Sequence, residues 1–177
     1  MKPMYHPAGT DDELRAAMKQ LQVSRWIAMR DLLAETGSNW PLRSFRTQAL
    51  GIMAAGSDVV EAWLAEEPDS YDAQVMLARV SVERALRSHR QRHGAAGSLE
   101  QRARGTVLAA TRREWRDPVP WLCLLTLAQI DVQRGGCRPF RLWLLPQSPN
   151  VLTDVWTLAA QLDAMRASRT RPVAAAA

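Results

Sequence analysis

Glu67-Pro68-Asp69-Ser70-Tyr71-Asp72-Ala73-Gln74-Val75-Met76-Leu77-Ala78 and Asp117-Pro118-Val119-Pro120-Trp121-Leu122-Cys123-Leu124-Leu125 share one construction. Each sets an acidic residue and a proline ahead of a dense apolar run. Proline has a fixed φ and no amide proton, so it is tolerated in a turn or at the first helical position. A neighbouring Asp or Ser side chain accepts one of the orphan amides of the first turn. Two such entries describe helices that start straight out of a turn, as stacked helical hairpins do.

Working outward, nearly every segment reads as helix. Thr10-Asp11-Asp12-Glu13 has the form of a capping box, with the Thr hydroxyl accepting the Glu13 amide, and opens a helix to about Leu21. Trp26, Met29, Arg30 and Leu33 follow at helical spacing up to Gly37, a helix-terminating glycine. Asn39 offers a cap before Trp40-Pro41, and Leu42, Phe45, Ala49, Ile52 and Met53 make one apolar stripe. Val59 to Glu66 is a short helix carrying Trp63. Residues 72–92 form the longest helix, with Ala73, Met76, Leu77 and Val80 facing inward and Glu83 and Arg87 as an i,i+4 pair. Gly94-Ala95-Ala96-Gly97 is a break. Ser98-Leu99-Glu100-Gln101 is a second capping box, for a helix to about Trp115 in which Gly105 marks a close backbone approach. Asp117 then caps a helix that ends near Gly135-Gly136. Residues 137–150, with three prolines, are irregular, and a last amphipathic stripe runs from Val151 to Met165. The expected fold is all-α: one domain of stacked antiparallel hairpins over residues 10–167, with flexible termini at 1–9 and 168–177.

The chain of 177 residues is 47% hydrophobic and 23% charged, ordinary for a single globular domain. Seven of its eleven aromatics are Trp, spread along the chain, and most are expected to be core pillars. Charge is uneven: residues 1–72 carry 7 basic and 11 acidic groups, net −4, whereas residues 73–116 carry 10 and 3, net +7. Such a basic middle favours an anionic partner or a self-complementary contact. Cys123 and Cys137 make no disulfide framework, and Met1 to Pro7 lacks the apolar core of a signal peptide. With no run of roughly 20 apolar residues to span a bilayer, the expected location is the cytoplasm.

The two helix entries resemble those of tetratricopeptide-type repeats. In that family a proline closes one repeat and a W-x2-L-(G/A) pattern opens the next. Trp121-x2-Leu124-Leu125 matches in part, and Gln74-x2-Leu77-Ala78 keeps the Leu and the small residue. The layout is also similar to a group of TPR-like helical proteins of unknown function in high-GC bacteria. They share the punctuation seen here as Asn39-Trp40, Glu67 to Ala73 and Asp117 to Trp121. The resemblance covers roughly residues 10–132. It implies a TPR-like fold and brings no catalytic residues; the expected role, a protein-interaction module without a cofactor, comes from the groove that packed hairpins leave by geometry.

The chemistry-bearing residues are mostly arginines. Arg84, Arg87, Arg90 and Arg92 end the longest helix, and Arg112 and Arg113 end the next. Together they are the expected ligand-binding set, for an acidic peptide or partner helix or, in the alternative reading, for nucleic acid as a regulator using the 84–116 helices. The plainer reading is a solvated face with cations placed at helix C-termini. His89-x3-His93 has the spacing of two metal ligands on one helix face, but no third ligand is evident and the surrounding arginines repel a cation, so no metal is expected. No hydrolase, nucleotide-binding or zinc-protease signature is present, and an enzyme is the most distant of the three readings. Phe140, Trp143 and Leu145 are expected to bury on this chain or in a second copy, as a self-association surface.

Overall fold

The structure, a computed structural model, describes residues 7–133, and all regular secondary structure among them is helical. Seven helices follow one another: α1 (Asp12–Gln22), α2 (Ile27–Thr36), α3 (Trp40–Ala54), α4 (Val59–Glu66), α5 (Tyr71–Arg90), α6 (Ala96–Arg113) and α7 (Pro118–Gln133). None is long and apolar enough to cross a membrane. The stripe from Val151 to Met165, the irregular 137–150 segment and the termini at 1–6 and 168–177 lie outside the described residues.

Local chemistry sets most of the boundaries. Asp11 caps α1 by accepting the Leu14 amide at 2.9 Å. The cap is therefore one residue later than the Thr10 box, because the Asp11 carboxylate is the stronger acceptor. Gly37 ends α2 with φ +51°, a conformation that costs side chains energy and glycine little. Asn39 caps α3 through the Leu42 amide and Ser70 caps α5 through the Ala73 amide. The second predicted box fails: α6 already starts at Ala96, and the Ser98 hydroxyl donates to the Ala95 carbonyl. Asp117 accepts the Val119 amide at 2.8 Å at the start of α7, as the Asp-Pro entry requires.

Helix α5 is the organising element. It touches α2, α3, α4, α6 and α7, and half of its twenty residues are buried, leaving no wide polar face. Contacts between α1 and α3, α3 and α5, and α5 and α7 run the odd-numbered helices into one row. The C-terminus of α6 lies at the N-terminus of α5, since Arg113 donates to the Asp69 carbonyl and the Tyr71 hydroxyl to the Glu114 carbonyl. These two helices are therefore an antiparallel hairpin.

The apolar core gathers Leu14, Met18, Met29, Leu33, Leu50, Val60, Trp63, Met76 and Val80. Trp26 and Trp63 stack at 5.7 Å with planes 7° apart, an offset aromatic contact. Trp63 is fully buried, and its indole N–H reaches the Glu67 carboxylate at 2.8 Å. Glu67 also accepts from Arg30 at 2.9 Å, so the first residue of the Glu-Pro turn ties α2 to α4.

One element is oriented differently from its expected stripe. On α3 the buried residues include Arg43, Ser44, Arg46, Thr47, Ala49, Leu50, Gly51 and Ala54, while Ile52 is exposed. Two arginines lie inside because carboxylates from other helices wait for them. Arg46 binds Asp11 at 2.8 and 3.1 Å, Glu13 at 2.6 Å and the Thr36 hydroxyl at 2.9 Å, joining α1, α2 and α3. The pairing of Glu83 is also corrected: it binds Arg79, one turn earlier, and both are buried. Arg87 instead donates to the Ile52 carbonyl.

Candidate functional site

The second inward arginine of α3 builds the site. Arg43 donates from Nε to Asp117 Oδ2 at 2.9 Å and from Nη2 to Asp72 Oδ1 at 2.6 Å. Its side chain is 4% exposed and that of Asp117 1%. Burial alone lowers the guanidinium pKa, and the charges of Asp117 and Asp72 overcome this and raise it, so Arg43 stays charged. Each carboxylate arrives from a helix start: Asp72 from the first turn of α5 and Asp117 from the cap of α7. The two helix entries thus converge on one guanidinium carried by a third helix.

Above this triad opens a cleft of about 380 Å³. Leu33, Ala34 and Gly37 of the α2 end and Trp40 of the α3 start form one wall. Tyr71 and Asp72 form a second, and Glu114, Arg116 and Asp117 of the α6–α7 link close it. The Tyr71 ring lies 6.0 Å from the Arg43 guanidinium. Burial pushes the Tyr71 phenol well above its ordinary value, and the Asp117 charge adds to this, so the hydroxyl keeps its proton and acts as a donor. Arg116 at the rim lies over the Trp115 ring, 5.3 Å from its centroid. Trp115 is 45% exposed, and its carbonyl accepts the Trp121 indole N–H at 2.9 Å. Of the described tryptophans, Trp26, Trp63 and Trp121 are buried as expected, whereas Trp40 lines the cleft and Trp115 is on the surface.

The arginines singled out in the sequence are dispersed. Arg84 is bound within the fold: it pairs with Glu61 and donates to the Ala55 and Ser57 carbonyls at 3.1 and 2.7 Å, fastening α5 to the α3–α4 turn. Arg87 is engaged by Ile52, and Arg113 by Asp69 at the opposite end of the α5–α6 hairpin. An 18-residue α6 at about 1.5 Å per residue separates its two ends by roughly 25 Å. Arg112 and Arg113 therefore do not join the α5 terminus, where Arg90 and Arg92 are exposed and Arg92 adopts φ +52°. Arg90, Arg92 and Arg112 form no ion pair with the described residues. None of the six lines the cleft.

Helix α5 ends at Arg90, so His93 is not on a shared helix face with His89; its Nδ1 accepts the Ala95 amide at 3.2 Å. No group of three His, Cys, Asp or Glu side chains able to hold a metal occurs among the described residues. Cys123 is fully buried in α7, and burial pushes its thiol up despite the nearby Arg79. Phe140, Trp143 and Leu145 lie outside the described residues. Sequence reasoning missed Arg43, Trp40 and Tyr71 as a site. The expected α3 stripe of Leu42, Phe45, Ala49, Ile52 and Met53 left Arg43 on the polar side, so no sequence signal marked it.

No family model, curated protein or solved structure matches this chain.

Proposed function

We propose that this chain is a non-enzymatic, TPR-like interaction module that receives a segment of a partner protein in the cleft beside Arg43, in the cytoplasm. The observation that carries this reading is the cleft itself. Three chain segments far apart in sequence meet there around a buried ion triad, and aromatic and charged side chains line it. A rigid floor with Trp, Tyr and Arg at its surface is the composition of interaction hot spots. Its volume is near the lower end of about 300–1,000 Å³ for ligand pockets, which suits a side chain or a short segment.

Three groups at or behind the cleft are committed within the fold. Tyr71 holds its proton, both Asp117 oxygens are engaged, and the Cys123 thiol is inside the protein. The nucleic-acid reading retains one specific support, the exposed Arg90, Arg92 and Arg112 without ion-pair partners among the described residues.

A photocrosslinking amino acid placed at Trp40, with the same residue at exposed Val23 as control, separates the readings in cells. The expected outcome is a discrete protein adduct at position 40 alone, unchanged by nuclease. Adducts at both positions, or none at position 40, would reject the cleft as the binding site. Retention on nucleic acid that falls steeply with salt would favour the arginine surface instead.

A further inference from the structure

The cleft has an unspent donor and unspent acceptors in defined places. Arg43 Nε and Nη2 are taken by Asp117 and Asp72, but Nη1 makes no hydrogen bond to the described residues although the side chain is 4% exposed. Arg43 lines the cleft, so this remaining N–H pair faces an opening that water or an entering acceptor reaches. On the acceptor side, Asp72 meets Arg43 through Oδ1, which leaves Oδ2 without a donor among the described residues. Glu114 accepts the Arg116 amide through Oε1 at 2.9 Å and has no ion-pair partner among the described residues. The charged lining comprises three carboxylates, Asp72, Glu114 and Asp117, against two guanidiniums, Arg43 and Arg116: net −1. Arg43 is committed to two of the carboxylates, and Arg116 lies on the Trp115 ring.

We infer that the cleft selects a basic side chain, Lys or Arg, of the partner segment, an inference that rests on the binding role proposed above. The cationic head meets Glu114 and the free oxygen of Asp72. Trp40 and Tyr71 flank its aliphatic stem and present ring faces to the charge. The backbone carbonyl of the same segment accepts from Arg43 Nη1, which fixes the segment's direction across the cleft. The preference is opposite to the acidic ligand that the overall charge of the chain suggests, because charge at a site is set by the groups lining it and not by the sum over the molecule.

The test uses the full chain as panning target for a phage-displayed library of random peptides. Enriched sequences are then titrated as synthetic peptides against wild type, Glu114→Gln and Trp40→Ala. Gln keeps an oxygen for the Arg116 amide, and circular dichroism verifies both variants as folded. The expected result is a fixed Lys or Arg in the enriched set, with affinity reduced about tenfold or more by Glu114→Gln and by replacing that basic residue with norleucine, in keeping with a charge-assisted hydrogen bond. Peptides lacking a basic residue but weakened by Trp40→Ala would overturn the charge preference while leaving the binding role intact. No enrichment, or binding indifferent to both variants, would overturn both.

Discussion

Arg43 shows how a single side chain makes distant segments interdependent. Its two carboxylate partners lie 29 and 74 residues away, and all three groups are largely withdrawn from water. Removing one member of such a set leaves the others charged and uncompensated. Arg43→Met is therefore expected to lose about 3–5 kcal/mol in urea unfolding, the usual consequence of breaking a buried pair. A loss below about 1 kcal/mol, the level of an exposed pair, would mean that the triad is solvated. Part of this was legible from the sequence. Asp117 ahead of Pro118 reads as a cap, and its Oδ1 does that work; that Oδ2 would meet Arg43 was not, because a helix-entry motif describes only its own first turn. Glu67 is similar: the sequence places it at a turn, and its hold on Trp63 and Arg30 depends on how α2 and α4 pack.

At the level of the helix, two glycines separate local propensity from packing. Gly105 was expected to allow a close approach, but a β-carbon there meets nothing within 4 Å and the residue is exposed. Gly51 has that role. A β-carbon at Gly51 falls 2.4 Å from Arg79 Cγ, close to the backbone of a buried side chain at the α3–α5 contact. Gly105→Ala is expected to stabilise by about 0.5–1 kcal/mol through helix propensity. Gly51→Ala is expected to destabilise by about 1–3 kcal/mol, since overpacking outweighs the same propensity gain. Thermal and urea unfolding of both variants check the signs, and a stabilised Gly51→Ala would mean that Arg79 moves aside freely. Helix positions were readable because capping and apolar spacing are local. The inward face of α3 was not, since Arg43 and Arg46 count as polar in any periodic pattern and are buried only through Asp72, Asp117, Asp11 and Glu13.

For the molecule as a whole, ion pairs that bind helix to helix link stability to pH. Burial raises the Asp11 carboxyl, but hydrogen bonds from Arg46 and the Leu14 amide prevail and hold it below its ordinary 3.8. Hydrogen bonds from Trp63 and Arg30 hold Glu67 below its ordinary 4.5. A carboxyl whose pKa is depressed by folding contributes stability that is present above its unfolded value and lost as pH falls through the folded one. The melting temperature is thus expected to be flat from about pH 7 to about pH 5 and to fall below about pH 4. Arg46→Met should shallow that acid limb while lowering the plateau; an unchanged acid limb would show that Asp11 contributes nothing to it. By itself the sequence determined that the chain is helical, where most helices start and stop, and that Trp63 and Cys123 lie inside, because these follow from contacts within a few residues or from apolarity alone. Only the tertiary structure decided which arginines are buried, which are bound and which are free, and that Trp40, Tyr71 and Glu114 meet in one cleft. Those outcomes depend on which helices pack together, and a charged side chain's environment is set by partners that sequence distance does not reveal.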